Sequence, residues 1–210
     1  MRLMLVGASG LVGQQVLRQA LADPRVERLI APTRKALAPA SKLDNPVVDF
    51  ERLPADAPWW KVDAVICTLG TTMAQAGSEA AFRRVDHDYP LEVARRARAA
   101  GAGAFVLNSA LGAAADSRVF YNRVKGEVEN AIAALGYPSL TLVRPSLLDG
   151  GPRPDSRPGE RAGLWVARVL RPLIPARYRA VATDAVARTL LAAAIAPQPG
   201  VRIVESERIA

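Results

Sequence analysis

The sequence predicts an α/β fold: a doubly wound parallel sheet with helices on both faces. Three observations carry that expectation. Short apolar runs, of the kind that strands buried on both faces require, recur at 3–6, 26–31, 62–68, 104–109 and 139–144. Helical stretches separate them at 11–22, 79–100 and 118–135. The first apolar run also opens straight into a glycine turn, Gly7-Ala-Ser-Gly-Leu-Val-Gly13. Strands alternating with helices argue one sheet with crossover helices. With 210 residues there is room for one well-buried domain, so 1–210 is expected to be a single unit, with 150–180 as a small substrate-side region.

Strand, glycine turn and helix start together make an anion site. Small residues let backbone approach a pyrophosphate, and the free N–H groups at the helix start point at it. The spacing is Gly-x-x-Gly-x-x-Gly rather than the Gly-x-Gly-x-x-Gly of the standard fingerprint. A plain strand-to-helix turn also uses glycine. Because this one directly follows an apolar strand, Gly7, Ser9, Gly10, Leu11, Val12 and Gly13 are expected to line an NAD(P)-binding, Rossmann-like site.

The run at 26–31 ends in Pro32-Thr33-Arg34-Lys35, where a second strand would meet the adenosine ribose. An NAD-selective site places an acid there for the 2′-hydroxyl. Arg34 and Lys35 would instead attract a 2′-phosphate, which favours NADP(H). Residues 47–50 look like a third strand whose Asp49 and Phe50 are placed for the adenine. Trp59 and Trp60 are expected to cover the sheet edge. The strand at 62–68 delivers Thr68, Leu69 and Gly70 to the ligand-bearing edge, and the strand at 104–109 delivers Asn108 and Ser109. The helix at 79–100 should bend near Tyr89-Pro90. Residues 149–161, rich in Gly, Pro and Arg, read as a mobile loop over the site, followed by an amphipathic helix with Trp165. Thr183-Asp184 is expected to cap a helix at 185–196, and 201–204 to form the last strand.

Composition narrows the function classes. The net charge of +8 is nearly all arginine, scattered along the chain, and the lysines are Lys35, Lys42, Lys61 and Lys125. That pattern is a compositional bias rather than a binding patch, so a nucleic-acid partner is not expected. His87, the single histidine, has no second histidine or cysteine beside it, so no metal site is expected. Cys67 lies in an apolar run and reads as a packing residue. No segment approaches the roughly 20 apolar residues of a membrane helix. With no leader ahead of the first strand, a cytoplasmic protein is expected, a monomer or homodimer acting on a small-molecule substrate.

Tyr121 and Lys125 are four apart on a predicted helix and share one face. A phenol with a pKa near 10 is a poor acid or base at neutral pH, and a neighbouring ammonium favours its ionised form. Ser109, at the end of the preceding strand, is placed to hold a substrate oxygen near Tyr121.

The glycine turn, Ser109 and Tyr121-x-x-x-Lys125 resemble the short-chain dehydrogenase/reductase superfamily. Val85-Asp-His-Asp-Tyr89, Tyr121-Asn-Arg-Val-Lys-Gly-Glu-Val-Glu129, Val143-Arg-Pro-Ser-Leu-Leu148 and Ser156-Arg-Pro-Gly-Glu160 narrow this further. These blocks are similar to the atypical subfamily of the human Tat-interacting oxidoreductase and its bacterial relatives. The resemblance implies NADP(H) as cofactor, with Ser109, Tyr121 and Lys125 as the catalytic set. It also implies Pro145, Leu147 and Leu148 against the nicotinamide. The chain departs from the superfamily where many members carry a catalytic asparagine, since Asp86 occupies about that region. The expected reaction is hydride transfer between the nicotinamide and a carbonyl or alcohol carbon, with Tyr121 exchanging the proton. An NADP(H) sensor without turnover and a sugar-nucleotide epimerase stay open as alternatives.

Overall fold

The computed structural model describes residues 1–149 and 175–209. Seven strands form one sheet: β1 (Arg2–Val6), β2 (Arg28–Ile30), β3 (Leu43–Asp44), β4 (Ala64–Cys67), β5 (Ala104–Asn108), β6 (Ser139–Arg144) and β9 (Gly200–Glu205). Their order is β3-β2-β1-β4-β5-β6-β9, and every neighbouring pair is parallel. The two-residue strands β7 (Leu148–Asp149) and β8 (Val181–Ala182) pair separately. The described helices are α1 (Leu11–Ala22), α2 (Met73–Ala76), α3 (Glu79–Arg83), α4 (Tyr89–Ala99), α5 (Phe120–Ala133) and α6 (Thr183–Ile195).

The apolar strands alternate between two cores. Met4, Val6, Val65, Cys67, Phe105 and Leu107 face α4 and α5, which contribute Val93, Ala94, Ala97, Val128 and Ile132. Leu3, Leu5, Ile66, Ala104 and Val106 face α1 and α6, which contribute Val12, Val16, Ala20, Val186 and Leu190. Each fully buried leucine, isoleucine or valine stabilises the fold by about 1.5–3 kcal/mol, which is why the central strands are almost wholly apolar. Strand order reverses direction between β1 and β4. Ligands of open parallel sheets bind at such a point, outside the carboxyl ends of the strands.

Several elements differ from expectation. The third strand is Leu43–Asp44, while Val47 joins Thr33 only through an isolated bridge. The Asn45 side chain breaks the ladder, donating to the Ala31 carbonyl at 2.5 Å and accepting from Leu37 N at 2.7 Å. The expected helix at 79–100 is split by a π-helical turn, Arg84–Asp88, between α3 and α4. Pro90, which has no N–H to continue the ladder, follows directly in the first turn of α4, so the break lies beside the expected bend. Trp60 is a core residue rather than an edge cover, and its indole N–H reaches the Pro54 carbonyl at 2.8 Å. Thr183 and Asp184 lie inside α6 and cap nothing; Asp184 pairs with Arg188 at 2.6 Å instead. The expected loop at 150–161 and the Trp165 helix lie outside the described residues.

Candidate functional site

At the end of β1 the three glycines do different work. Gly7 has φ +90°, and a Cβ there would meet the Thr68 carbonyl carbon at 2.7 Å. A Cβ on Gly13 would lie 2.0 Å from the Gly7 oxygen, so both glycines are demanded by the strand–helix packing itself. Gly10 is not: a Cβ there would find only the Gly7 oxygen, at an ordinary 3.4 Å. Its bare backbone faces solvent beside exposed Ser9 and Leu11, while Val12 is buried behind it. The start of α1 has no side-chain cap and no acid in its first turn, so its N–H groups remain available to an anion. Thr68 Oγ1 donates to Val6 O at 3.0 Å and closes the turn from β4.

Arg34 and Lys35 project from a turn that Asn45 and Thr33 lock in place. Asn45 donates to Thr33 Oγ1 at 2.8 Å, and Thr33 Oγ1 donates to the Lys35 carbonyl at 2.7 Å. Both cations are exposed and have no ion-pair partner among the described residues. Asp49 is exposed too, accepting from Glu51 N at 2.9 Å. Phe50 is buried in the core, its ring 5.7 Å from that of Tyr89.

The loop after β4 leads to a buried ion pair. Lys125 Nζ lies 2.7 Å from Asp86 Oδ1, with side-chain exposures of 6% and 1%. The other Asp86 oxygen accepts from Thr71 N at 2.8 Å. Gly70 lies over the pair, where a Cβ would sit 3.3 Å from Asp86 Oδ1 and 3.7 Å from Lys125 Nζ. Burial pulls the Lys125 pKa down, but the charges of Asp86 and Tyr121 outweigh it and hold the ammonium above its ordinary value. Burial also pushes the nearby Cys67 thiol up to about 12, so it stays protonated. One turn before Lys125, the Tyr121 ring packs on Phe82 with centroids 5.6 Å apart. The helix carrying both residues is seated by Gly126, where a Cβ would meet Ala114 backbone at 2.2 Å.

Ser109 belongs to a different cluster. Its hydroxyl donates to Glu129 Oε1 at 2.5 Å, and both residues are buried. Arg144 grips Glu129 through two nitrogens at 3.0 and 2.5 Å and reaches Glu205 at 3.2 Å. This network ties β5, α5, β6 and β9 together at the carboxyl edge. The structure thus joins Lys125 to Asp86, and Ser109 to Glu129. Beside Ser109, the Asn108 side-chain oxygen is buried without a hydrogen-bond partner among the described residues. Pro145 is buried and its carbonyl accepts from Leu111 N at 2.9 Å; Leu147 is exposed and Leu148 lies in β7.

Sequence reasoning noticed Asp86 only as a departure from a pattern, and missed Thr71, Gly126, Glu129 and Arg144. Gly126, Glu129 and Arg144 stood inside the blocks that carried the resemblance, and that was the available signal. Two surface hollows, of about 380 and 430 Å³, are lined by no residue of the glycine turn and by neither Tyr121 nor Lys125.

No family model matches the chain. Among curated relatives, it is 34% identical to rat HTATIP2 over 214 residues, covering 98% of this chain and 86% of that one. It is 36% identical over 174 residues to the Emericella nidulans protein named "fmp52, mitochondrial", covering 79% of this chain and 74% of that one. Among solved structures it is similar to MoeE5 in complex with UDP-glucuronic acid and NAD. That match has a TM-score of 0.74 at 16% identity and covers 98% of this chain and 76% of the other. The Thermotoga maritima UDP-glucose 4-epimerase gives 0.68 at 15% identity, with 99% and 78% covered. The names of the fungal relatives overturn the expectation of a cytoplasmic protein. That expectation rested on composition and on the apolar strand with which the sequence opens, and neither excludes an organelle. The HTATIP2 match over nearly the whole chain, on a doubly wound parallel sheet, places the chain in the atypical short-chain dehydrogenase/reductase family that includes HTATIP2 and Fmp52.

Proposed function

We propose that the chain is an NADP(H)-dependent oxidoreductase, exchanging hydride with a small carbonyl or alcohol substrate while Tyr121 exchanges the proton on oxygen. One observation carries this reading. The glycine turn of β1 and the Lys125–Asp86 pair under the β4 loop open on the same sheet edge, at the point where strand order reverses.

The residues present fit such a cofactor. Gly10 keeps open a space that a side chain would fill, Asn108 holds an unpartnered buried oxygen, and Arg34 and Lys35 offer unpaired charge for a 2′-phosphate. NADP(H), when bound, supplies or accepts the hydride. Lys125 would donate to the ribose hydroxyls, and the Tyr121 hydroxyl would give its proton to the developing alkoxide in reduction and take it back in oxidation. Ser109 reaches the substrate oxygen only if its hydrogen turns from Glu129. Several of the solved neighbours are complexes with NAD, which supports a dinucleotide, and the fungal relatives, named mitochondrial, support a mitochondrial setting.

Incubating the protein with NADPH and a panel of carbonyls, and following loss of the reduced cofactor's absorbance, tests the proposal. Turnover on at least one carbonyl is expected, and Tyr121→Phe should lower it by at least about a hundredfold with NADPH affinity held within a few-fold. Full activity in Tyr121→Phe would overturn the mechanism. A second reading, sugar-nucleotide epimerisation, is favoured by the epimerases among the structural neighbours. Including UDP-glucose distinguishes it, because an epimerase interconverts the sugar with no net use of NADPH.

A further inference from the structure

We propose that Asp86 is a positioning residue that holds the Lys125 ammonium in register with the Gly70–Thr71 loop and so sets its grip on the cofactor ribose. The inference rests on the cofactor site proposed above.

The geometry uses both carboxylate oxygens of Asp86. One pairs with Lys125 on α5 at 2.7 Å, and the other accepts from the Thr71 N–H in the loop after β4 at 2.8 Å. Asp86 therefore bridges two elements that contribute to the ligand edge, with itself on a third. Its own element is the π-helical turn, and wide turns of this kind re-aim side chains at functional sites. Here Asp86 is directed inward at 1% exposure, whereas its neighbour Asp88 stays more than half exposed and pairs with His87. The residue roofing the pair is Gly70, which has no side chain to close the pair off from the edge.

The other groups that act on Lys125 are Tyr121 on its own helix and Cys67 on β4. Asp86 is the carboxylate that opposes the cost of burying the ammonium. A buried ion pair adds little to stability compared with well-packed apolar residues, so stability alone gives weak reason for charge at this place. Holding a lysine charged and aimed at a ribose gives a better one.

The test measures NADPH binding by calorimetry on the full chain, from about pH 7 to about pH 9.5, below the ordinary lysine pKa. In the native protein the paired ammonium stays charged, and the affinity should be flat across this range. In Asp86→Asn, burial acts on Lys125 without the opposing carboxylate, so its proton is lost at lower pH. Affinity should be somewhat reduced at the neutral end, where the ammonium is less firmly held, and fall by about a further tenfold or more at the alkaline end. A uniform loss at every pH, as a merely structural residue would give, overturns the proposal, and so does an unchanged flat profile. Should Asp86→Asn fail to fold, Lys125→Met and the Lys125→Met/Asp86→Asn double variant decide the matter. If Asp86 acts through Lys125, these two bind NADPH equally within about twofold, and a further tenfold loss in the double variant overturns the proposal. Binding is read without turnover. A protein with the expected pH signature that reduces no carbonyl loses the oxidoreductase reading and keeps this one, while a native protein that binds no NADPH loses both.

Discussion

At Gly10 the fold itself makes no demand for glycine. With φ −78° and ψ 169°, a branched residue takes its backbone conformation without strain, and the space around a Cβ is open. Gly10→Val should therefore fold with a stability change of about 1 kcal/mol, the scale of a helix-cap substitution, and yet lose NADPH binding. Thermal unfolding and calorimetry read the two outcomes separately; native affinity in the folded variant would show that the turn is not the phosphate site. Arg34 and Lys35 call for a related test. Arg34→Ala should remove much of a preference for NADPH over NADH worth on the order of 1.5–3 kcal/mol, leaving NADH affinity nearly unchanged. Equal affinity of the native protein for both cofactors would refute the assignment. Glycine spacing and the Tyr121–Lys125 pair were legible because they are local patterns. The partners of Lys125 and Ser109 were not, because Asp86 and Glu129 lie 39 and 20 positions away and meet them only in the folded chain.

Among the elements, α5 carries Tyr121, Lys125 and Glu129, and its seat is tight. A Cβ at Gly126 would stand 2.2 Å from both the Ala114 carbonyl carbon and the Ala115 nitrogen, so backbone must move. Gly126→Ala should cost about 1–3 kcal/mol in urea unfolding despite the better helix propensity of alanine. Unaltered stability would mean that the loop yields freely. Periodicity placed α1 and β6 with the right ends, since continuous apolar faces or runs mark them. It failed at the π-helical turn and at β3, where a wide helical turn and an asparagine that satisfies backbone groups leave no signature in apolar spacing.

For the molecule as a whole, alkali is the direction of weakness. The Cys67 thiol, at about 12 in the folded protein against an ordinary 9.0, contributes stability that is complete below pH 9 and is lost as pH rises toward 12. At pH 10.5 the loss should be about 2 kcal/mol, from 1.36 kcal/mol per pKa unit. Tyr137, also raised by burial, and Lys125, raised by its charged neighbours, act in the same direction. Urea unfolding between pH 8 and pH 10.5 should show the decline, and Cys67→Ala should flatten it. An identical slope in that variant would mean the thiol is not what titrates.

The packing of α1 against α6 has a consequence for how the chain is made. The apolar stripe of α1, Val12, Val16 and Ala20, shares its core with Val186, Leu190 and Ala194, and Gln19 reaches across to the Asp184 carbonyl at 3.1 Å. The glycine turn is thus translated well before α6, and its helix finds lasting cover only once residues near 190 have emerged from the ribosome. Until then, the apolar face of α1 on the nascent chain stands open to chaperones or to misassociation. Ribosome-bound chains halted before α6 should be digested readily by protease at α1, and chains halted well beyond β9 should resist.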